Sequence, residues 1–260
     1  MSKLASKNEF LDLSDYGRPF AKLFANRLKN TRCTPIHVTM LFGVCGLVAI
    51  YCILKNLHIW ASFLIILKSI IDAADGELAR VKNTPSYVGR YLDSVFDIIL
   101  NFLILLSLFY ISQTSFLMML FAFFCIQLQG TLYNYYYVIL RHKSTGSDKT
   151  SNIFEDHSPK ALPGESQKSV NILFRLYTLF YGIFDKIIYT LDYEACKVKT
   201  FPNWFMTLLS LYGLGFQLLL IAIMLSLDKI EMIAPFFIGY SALLFVLIGI
   251  RKVYIKPEIK

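Results

Sequence analysis

Residues 70 to 97 read IIDAADGELARVKNTPSYVGRYLDSVFD, and they join two segments that are otherwise strongly apolar. Four aspartates stand in this stretch, namely Asp72, Asp75, Asp93 and Asp97. A carboxylate in or near a bilayer is energetically expensive, so it faces a partner or a water-filled cavity and by default marks a functional site. The stretch therefore predicts a membrane protein whose chemistry lies where two helices meet.

Composition favours a membrane protein over a soluble one. Hydrophobic residues make up 56% of the 260 residues and charged residues only 17%, below the roughly 25% that is usual for a soluble domain. The net charge of +8 lies beside the apolar segments, which favours an anionic membrane surface as the partner and argues against nucleic acid. The five cysteines show neither paired nor metal-ligand spacing, which argues against a disulfide framework. The first 35 residues are polar and charged, so no cleavable signal peptide is expected.

The apolar pattern predicts an all-α, polytopic integral membrane protein with six transmembrane helices and additional cytoplasmic interfacial helices. The predicted spans cover about residues 36–54, 59–75, 89–111, 116–140, 204–227 and 232–250. The chain then has three parts. These are a cytoplasmic amphipathic segment at 1–35, a six-helix transmembrane domain at 36–250 with a cytoplasmic insertion at about 141–200, and a cytoplasmic tail at 251–260.

The distribution of positive charge predicts the orientation of the chain. Seven Lys or Arg residues precede the first span and nine lie between spans four and five, whereas the loops on the other side contain only Lys55 and Lys229. By the positive-inside rule, both termini and the loop that joins spans two and three face the cytoplasm. In a bacterial cell the membrane would be the inner, or cell, membrane.

Two amphipathic stretches lie outside the predicted spans. A helix over residues 18–30 would carry its large apolar side chains on one face, namely Phe20, Leu23, Phe24 and Leu28. Residues 172–191 are long enough to cross the bilayer, but Arg175, Asp185 and Lys186 favour an interfacial helix over a seventh span.

Two further residue groups have structural interpretations. The tyrosines near the end of the fourth span are assigned to an aromatic belt, and they are Tyr133, Tyr135, Tyr136 and Tyr137. Gly213 and Gly215 would permit close packing, either within the chain or between subunits.

Helical spacing makes the aspartate stretch coherent as a site. Asp72 and Asp75 share a face with Ala79 near the end of one helix, and Asp93 and Asp97 share a face with Gly89 at the start of the next. The short link containing Pro85 returns the chain antiparallel, so the two faces can oppose. Carboxylate oxygens suit Mg²⁺ or Mn²⁺, here expected as a pair of ions, and the lack of His and Cys in this stretch argues against zinc. Gly76, Ala79 and Gly89 leave room for a substrate phosphate beside the carboxylates.

The spacing D-x2-D-G-x2-A-R-x8-G-x3-D-x3-D resembles the signature of the CDP-alcohol phosphotransferase, or CDP-alcohol phosphatidyltransferase, family. The resemblance covers residues 72–97 and extends to the six predicted spans and to the run Thr34-Pro35-Ile36-His37-Val38-Thr39, in which many relatives carry Asn at the position of Ile36. It implies a phospholipid-biosynthetic enzyme. Such an enzyme transfers a phosphatidyl or substituted phosphoryl group from a CDP-alcohol, typically CDP-diacylglycerol, to an alcohol acceptor and releases CMP.

The resemblance also implies roles for individual residues. Asp72, Asp75 and Asp93 would hold two metal ions, and Asp97 would complete the metal site or act as the catalytic base. Arg80 would bind the diphosphate together with the metals. The residues that would admit or border the CDP moiety are Gly76, Ala79, Gly89, Pro35 and Thr39. A homodimer is expected from the same resemblance.

The acceptor stays open at this stage. The same core serves glycerol phosphate, inositol or its phosphate, serine, choline, and diacylglycerol that receives a CDP-aminoalcohol. Lys68, Arg90 and Arg141 are candidates for an acceptor site, although each also fits a structural role as a counter-ion or interfacial anchor. The alternatives are an aminoalcohol phosphotransferase of the CDP-choline or CDP-ethanolamine type and, more remotely, a cation-coupled transporter or a non-catalytic scaffold.

Overall fold

The computed structural model describes residues 9–145, 153 and 155–256, and all regular elements in these residues are helices. The predicted N-terminal segment, insertion and tail therefore lie partly outside the described residues. The α-helices are α1 (Arg18–Leu28), α2 (Pro35–Leu54), α3 (His58–Lys82), α4 (Tyr87–Ser112), α5 (Phe116–Thr145), α6 (Gln167–Leu191), α7 (Asn203–Ser210), α8 (Leu214–Ser226), α9 (Ile230–Tyr240) and α10 (Ala242–Tyr254). Short 3-10 helices cover Leu13–Asp15 and Tyr193–Lys197. The all-α prediction is confirmed.

Local sequence signals define the helix ends that frame the aspartate stretch. The Ser86 hydroxyl caps α4 by accepting a hydrogen bond from the Gly89 amide at 2.7 Å. Asn83 ends α3 in the left-handed conformation, with φ of 57°, a conformation that Asn adopts more readily than most residues. Pro85 follows before the next helix, and the chain reverses between α3 and α4. α2 begins with a capping box formed by Thr34 and His37.

Within the part of the chain that the structure describes, four helical segments are long and apolar enough to cross a membrane. They are Pro35–Leu54, Tyr87–Ser112, Phe116–Lys143 and Ile230–Tyr254, and the bent pair α7 and α8, with an angle of 44°, makes a fifth if it counts as one span. α3, which contains the second predicted span, is 25 residues long, but it carries charged residues along the length that would cross. Six spans therefore stay a prediction.

The helices around the aspartate stretch pack closely because small residues lie between them. A Cβ atom added at Gly46 of α2 would lie 2.9 Å from the Leu100 side chain of α4, and one added at Gly43 would lie 3.1 Å from the ring of Phe96. Small residues of this kind let helix backbones approach within a membrane. This close approach brings α2 beside α4, which carries two of the aspartates.

The two predicted amphipathic stretches both form helices that lie against the bundle. α1 buries Ala21 and Ala25 against Ala74 and Leu78 of α3, and it leaves Phe20 exposed. α6 begins at residue 167, packs on α4 and α5, and buries one face while an apolar stripe remains exposed. The exposed residues of this stripe are Ile172, Leu176, Leu179 and Ile183. The interfacial position of α1 and α6 stays a prediction.

The aromatic-belt interpretation is wrong for two of the four tyrosines. Tyr135 and Tyr136 are buried, and both hydroxyls donate hydrogen bonds to Asp192, which is itself paired with the buried Arg251 of α10. Polar partners supplied by distant segments make this burial possible, since a buried hydroxyl or charge without a partner is costly. The cluster ties α5 and α10 to the segment that follows α6.

Gly213 and Gly215 serve packing within the chain. Added Cβ atoms at these positions would lie 2.3 Å and 2.0 Å from atoms of Ser14, which belongs to the 3-10 helix Leu13–Asp15. A side chain at either glycine would therefore displace the segment that leads into α1. Of the two packing roles considered, the one within the chain is observed here.

Candidate active site

A cleft of about 1370 Å³ opens beside the end of α3 and the start of α4. It is lined by α2, α3, α4, α5, α6 and α8, together with the segments around residues 12–15 and 153–166. Lys68 is the one predicted site residue that does not line it. The predicted residues that do are Pro35, Thr39, Asp72, Asp75, Gly76, Ala79, Arg80, Gly89, Arg90, Asp93, Asp97 and Arg141.

Three carboxylates from the two helices converge in this cleft. Asp72 and Asp75 come from α3 and Asp93 from α4, and one oxygen of each lies within 4.8 Å of the others. The Thr39 hydroxyl of α2 donates a hydrogen bond of 2.6 Å to Asp75 Oδ2. One carboxylate oxygen of Asp93, Oδ1, is buried and has no hydrogen-bond partner among the described residues. A buried carboxylate oxygen without a partner and an oxygen-only donor set both fit a hard divalent cation.

Asp97 is buried one helical turn beyond Asp93, and its partner is Lys68. The Lys68 side chain is fully buried, with 0% of its surface exposed, and its ammonium group also lies 5.0 Å from the centre of the Phe42 ring. Asp97 is therefore set apart from the three-carboxylate cluster by its own counter-ion. Lys68 is the counter-ion of Asp97 and does not line the cleft.

Arg80 is held by an acidic residue that lies within the signature itself. Glu77 is buried, and its Oε1 lies 2.9 Å from Arg80 Nη2 and 3.0 Å from Arg18 Nε of α1. Glu77 was not among the predicted site residues, although Arg80 follows it by three positions, which is the spacing of an ion pair on a helix. The contact with Arg18 joins residues that are 59 positions apart, and no local pattern indicates it.

The insertion between α5 and α6 forms a wall of the cleft. Arg90 of α4 pairs with Glu155 at 2.5 Å, and Glu155 also accepts a hydrogen bond of 2.7 Å from the Tyr91 hydroxyl. Glu165 accepts hydrogen bonds from the Ser86 hydroxyl at 2.6 Å and from the Val88 amide at 2.8 Å. The insertion therefore holds the N-terminus of the helix that carries Asp93 and Asp97.

α6 lines the cleft next to the insertion, since Arg90 also lies 5.8 Å from the centre of the Tyr177 ring. The Tyr181 hydroxyl donates to the Ser94 carbonyl oxygen at 3.1 Å, and the Tyr177 hydroxyl donates to Asp185 at 3.2 Å. Burial raises the pKa of Asp185 to about 6, and the hydrogen bond from Tyr177 opposes that rise. Both tyrosines and Asp185 line the cleft, and they were not among the predicted site residues.

Comparison with models of known protein families identifies the family of this chain. Residues 32–227 match the family model described as CDP-alcohol phosphatidyltransferase, which covers most of the chain and includes the whole aspartate stretch. The chain belongs to this family. Comparison with individual curated proteins gave no match. Members of the family are transferases of phospholipid synthesis that move a phosphate-linked group from a CDP-alcohol to an alcohol acceptor, and they generally depend on divalent metal ions.

Proposed function

We propose that the chain transfers a phosphatidyl group, or another substituted phosphoryl group, from a CDP-alcohol of the CDP-diacylglycerol type to an alcohol acceptor and releases CMP. The observation that carries the proposal is the convergence of Asp72, Asp75 and Asp93 on one wall of a large cleft, within a chain that matches this transferase family. Without such a cleft, the four aspartates of the signature alone would not suggest group transfer.

Asp72, Asp75 and Asp93 would hold the metal, as two Mg²⁺ or Mn²⁺ ions, and Asp97 would be available to complete the site. When bound, such ions neutralise charge on the phosphoryl oxygens and on the departing nucleotide. The hydrogen bond from Thr39 orients Asp75 towards the cluster before any ion arrives. Such outer partners are a general means of orienting metal ligands.

The CDP moiety would lie at the end of the cleft where α3 ends and α4 begins. Arg80 would bind the diphosphate, and Glu77 would hold the guanidinium in place through its contact at 2.9 Å. Five lining residues would border the nucleotide. Gly76, Ala79 and Gly89 have little or no side chain, and Pro35 and Thr39 lie in the first two turns of α2. Gly76 has space beside it, since an added Cβ would meet nothing nearer than Arg80 Nη1 at 3.6 Å.

Asp97 would act as the general base. The acceptor oxygen forms a bond to the β-phosphorus of the CDP-alcohol as the bond from that phosphorus to CMP breaks. The hydroxyl proton passes to an Asp97 oxygen, and the nucleotide leaves as CMP with the bridging oxygen. The positive charge of Lys68 would offset the cost of keeping an ionised carboxylate in a buried position.

Lys68→Met is expected to lower turnover about tenfold. This lies within the range by which activity falls when a group that positions a functional residue is removed. Donor affinity should change little, because Lys68 does not line the cleft and the three-carboxylate cluster stays intact. The measurement is initial-rate CMP release beside donor binding by calorimetry. Lys68→Arg retains the charge and should recover part of the rate. An unchanged rate for Lys68→Met would show that Asp97 does not need this counter-ion.

We also propose that both termini face the cytoplasm and that, in a bacterium, the protein lies in the inner membrane. We further propose that it acts as a homodimer. The basic residues of the insertion and around α1 support this orientation. The cleft would then open to the side on which CDP-linked donors are made. The homodimer rests on the family alone.

The direct test of the function is CMP release by the purified protein in lipid nanodiscs with Mg²⁺ or Mn²⁺. CDP-diacylglycerol is supplied with water-soluble alcohols, and CDP-choline is supplied with diacylglycerol in separate reactions. We expect CMP and a new phosphodiester lipid, identified by mass spectrometry, in the first set. Release in the second set only would identify an aminoalcohol phosphotransferase. Absence of CMP in both sets would contradict the proposal.

A further inference from the structure

The cleft continues beyond the aspartates into a region lined by uncharged polar side chains. Asn101 lies one turn past Asp97 on the same face of α4, lines the cleft, and is 6% exposed. Its Oδ1 atom is buried and has no hydrogen-bond partner among the described residues. A buried amide oxygen left without a partner is costly, so the position suits a ligand that donates a hydrogen bond.

α5 and α8 add further uncharged polar groups to the lining of the same cleft. Gln127, Thr131 and Asn134 are spaced i, i+4 and i+7 on α5, and all three line the cleft. Gln217 of α8 lines it as well, and its amide nitrogen is engaged by the Ile126 carbonyl and by Gln129, each at 3.0 Å. We name Asn101, Gln127, Thr131 and Gln217 the deep polar end of the cleft.

The cations that line the cleft all lie at its other end. Arg80 and Lys82 are in the last turn of α3, Arg90 is in the first turn of α4, and Arg141 is near the end of the antiparallel α5. At a rise of about 1.5 Å per residue, Asp97 is roughly 10 Å along α4 from Arg90, and Asn101 is about 6 Å farther. Among the described residues that line the cleft, these four cations are the only Lys and Arg.

Lys68, the cation nearest to the aspartates, is already paired with Asp97, and the lining cations next to them are engaged as well. Arg80 pairs with Glu77, and Arg90 pairs with Glu155. Lys82 donates hydrogen bonds to the carbonyl oxygens of Thr31 and Cys33 at 2.7 and 2.6 Å. A phosphate placed beyond Asp97 would therefore be buried without a cation that is not already paired, which is strongly unfavourable.

We infer that the deep polar end is the acceptor subsite and that it takes an uncharged alcohol, one that carries hydroxyl groups and no phosphate. Asn101 and Gln127 would be its specificity-determining residues, because an amide can both donate to and accept from a hydroxyl group. The inference rests on the proposed group transfer, and it deepens that proposal by excluding phosphorylated acceptors. The uncharged hydroxyl could belong to a water-soluble polyol or to a neutral lipid.

Acceptor pairs that differ only in a phosphate test the inference and separate the two sources of hydroxyl. Glycerol is compared with glycerol 3-phosphate and inositol with inositol 1-phosphate, each with CDP-diacylglycerol, and monoacylglycerol is compared with lysophosphatidic acid, each with CDP-choline, so that every acceptor keeps a free hydroxyl. With the full chain in nanodiscs, the phosphate-free member should give a kcat/KM at least about tenfold higher, as an unpaired buried charge implies. Preference for a phosphorylated acceptor, or for serine, overturns the inference and leaves the proposed transfer standing. Failure to release CMP with any pair contradicts the transfer itself.

Asn101→Leu and Gln127→Met keep side-chain volume and remove the hydrogen-bonding groups. Each should raise the acceptor KM about tenfold, the effect of losing one or two hydrogen bonds to neutral groups, while the affinity for the CDP-linked donor stays unchanged. Ser107→Ala is the matched control, because Ser107 is a buried polar residue farther along α4 that bonds the Ile104 carbonyl and does not line the cleft. An unchanged acceptor KM in both test variants, with normal donor binding, would place the acceptor elsewhere.

Discussion

Asp93→Asn is expected to abolish CMP release, and removal of divalent cations with a chelator is expected to have the same effect. Asp93 joins the carboxylates of α3 from across the hairpin, and its buried Oδ1 atom has no other partner among the described residues. Loss of even an outer partner of a metal ligand commonly lowers activity 10- to 100-fold, so loss of the ligand itself should lower turnover by more than about 10²-fold. Restored Mg²⁺ or Mn²⁺ should recover the wild-type activity after chelation and leave the variant inactive.

Asp185→Asn is the matched control for this prediction. Asp185 also lines the cleft and is mostly buried, but it belongs to α6 and bonds Tyr177 outside the three-carboxylate cluster. Its replacement should leave CMP release close to the wild-type rate. Full activity in excess chelator, or comparable losses in both variants, would contradict a metal site centred on Asp93. Retention of both variants in the membrane fraction excludes misfolding as the cause.

The second large effect separates the roles of Asp97 and Asp75. Asp97→Asn should lower turnover by about 10²-fold or more, the usual contribution of a general base. The affinity for the CDP-linked donor should survive, because the three-carboxylate cluster does not include Asp97. Asp75→Asn should instead weaken donor binding, since it removes charge that holds the metal against the diphosphate. Donor affinity by calorimetry in nanodiscs, measured beside turnover, distinguishes the two variants.

The Lys68 contact sharpens this comparison. Asp97→Asn leaves Lys68 buried without its counter-ion, so it should lower stability as well as turnover. The double variant Asp97→Asn with Lys68→Met removes both charges, so it should be more stable than Asp97→Asn alone and remain as inactive. If Asp97→Asn loses donor binding as completely as Asp75→Asn, then Asp97 is chiefly a metal ligand and the assignment as base is wrong.

Much of the fold and the core of the candidate site could be predicted from local patterns. Apolar length identified α2, α4 and α5 as helices long enough to cross a membrane. The spacing of the aspartates placed each pair on one helical face, because 3.6 residues per turn bring positions i, i+3 and i+4 together. The short link between α3 and α4 then leaves an antiparallel hairpin as the natural arrangement. Local geometry was sufficient for these features.

The partners of the site residues could not be predicted in this way. The sequence left two roles for Lys68, as a counter-ion or as an acceptor-site residue. The tertiary structure pairs it with Asp97, 29 positions away. Arg90 was a candidate for the acceptor site, and it pairs with Glu155 from an insertion whose polar sequence shows no periodic signal. The burial of Tyr135 and Tyr136 likewise depends on Asp192. In each case the partner comes from another segment of the chain, and the spacing of residues within one helix does not indicate such a contact.

The sequence by itself determined that this is a helical membrane protein with a carboxylate cluster and the signature of a CDP-alcohol phosphatidyltransferase. These properties follow from composition and from periodicities within single helices or across one short turn. Only the tertiary structure decided which charges are neutralised, that the insertion and α6 enclose the cleft, and that uncharged side chains line its deep end. Those properties depend on helix packing, which brings α5, α6 and α8 against α4, and the free energy of a buried charge or amide depends on the groups that packing places beside it.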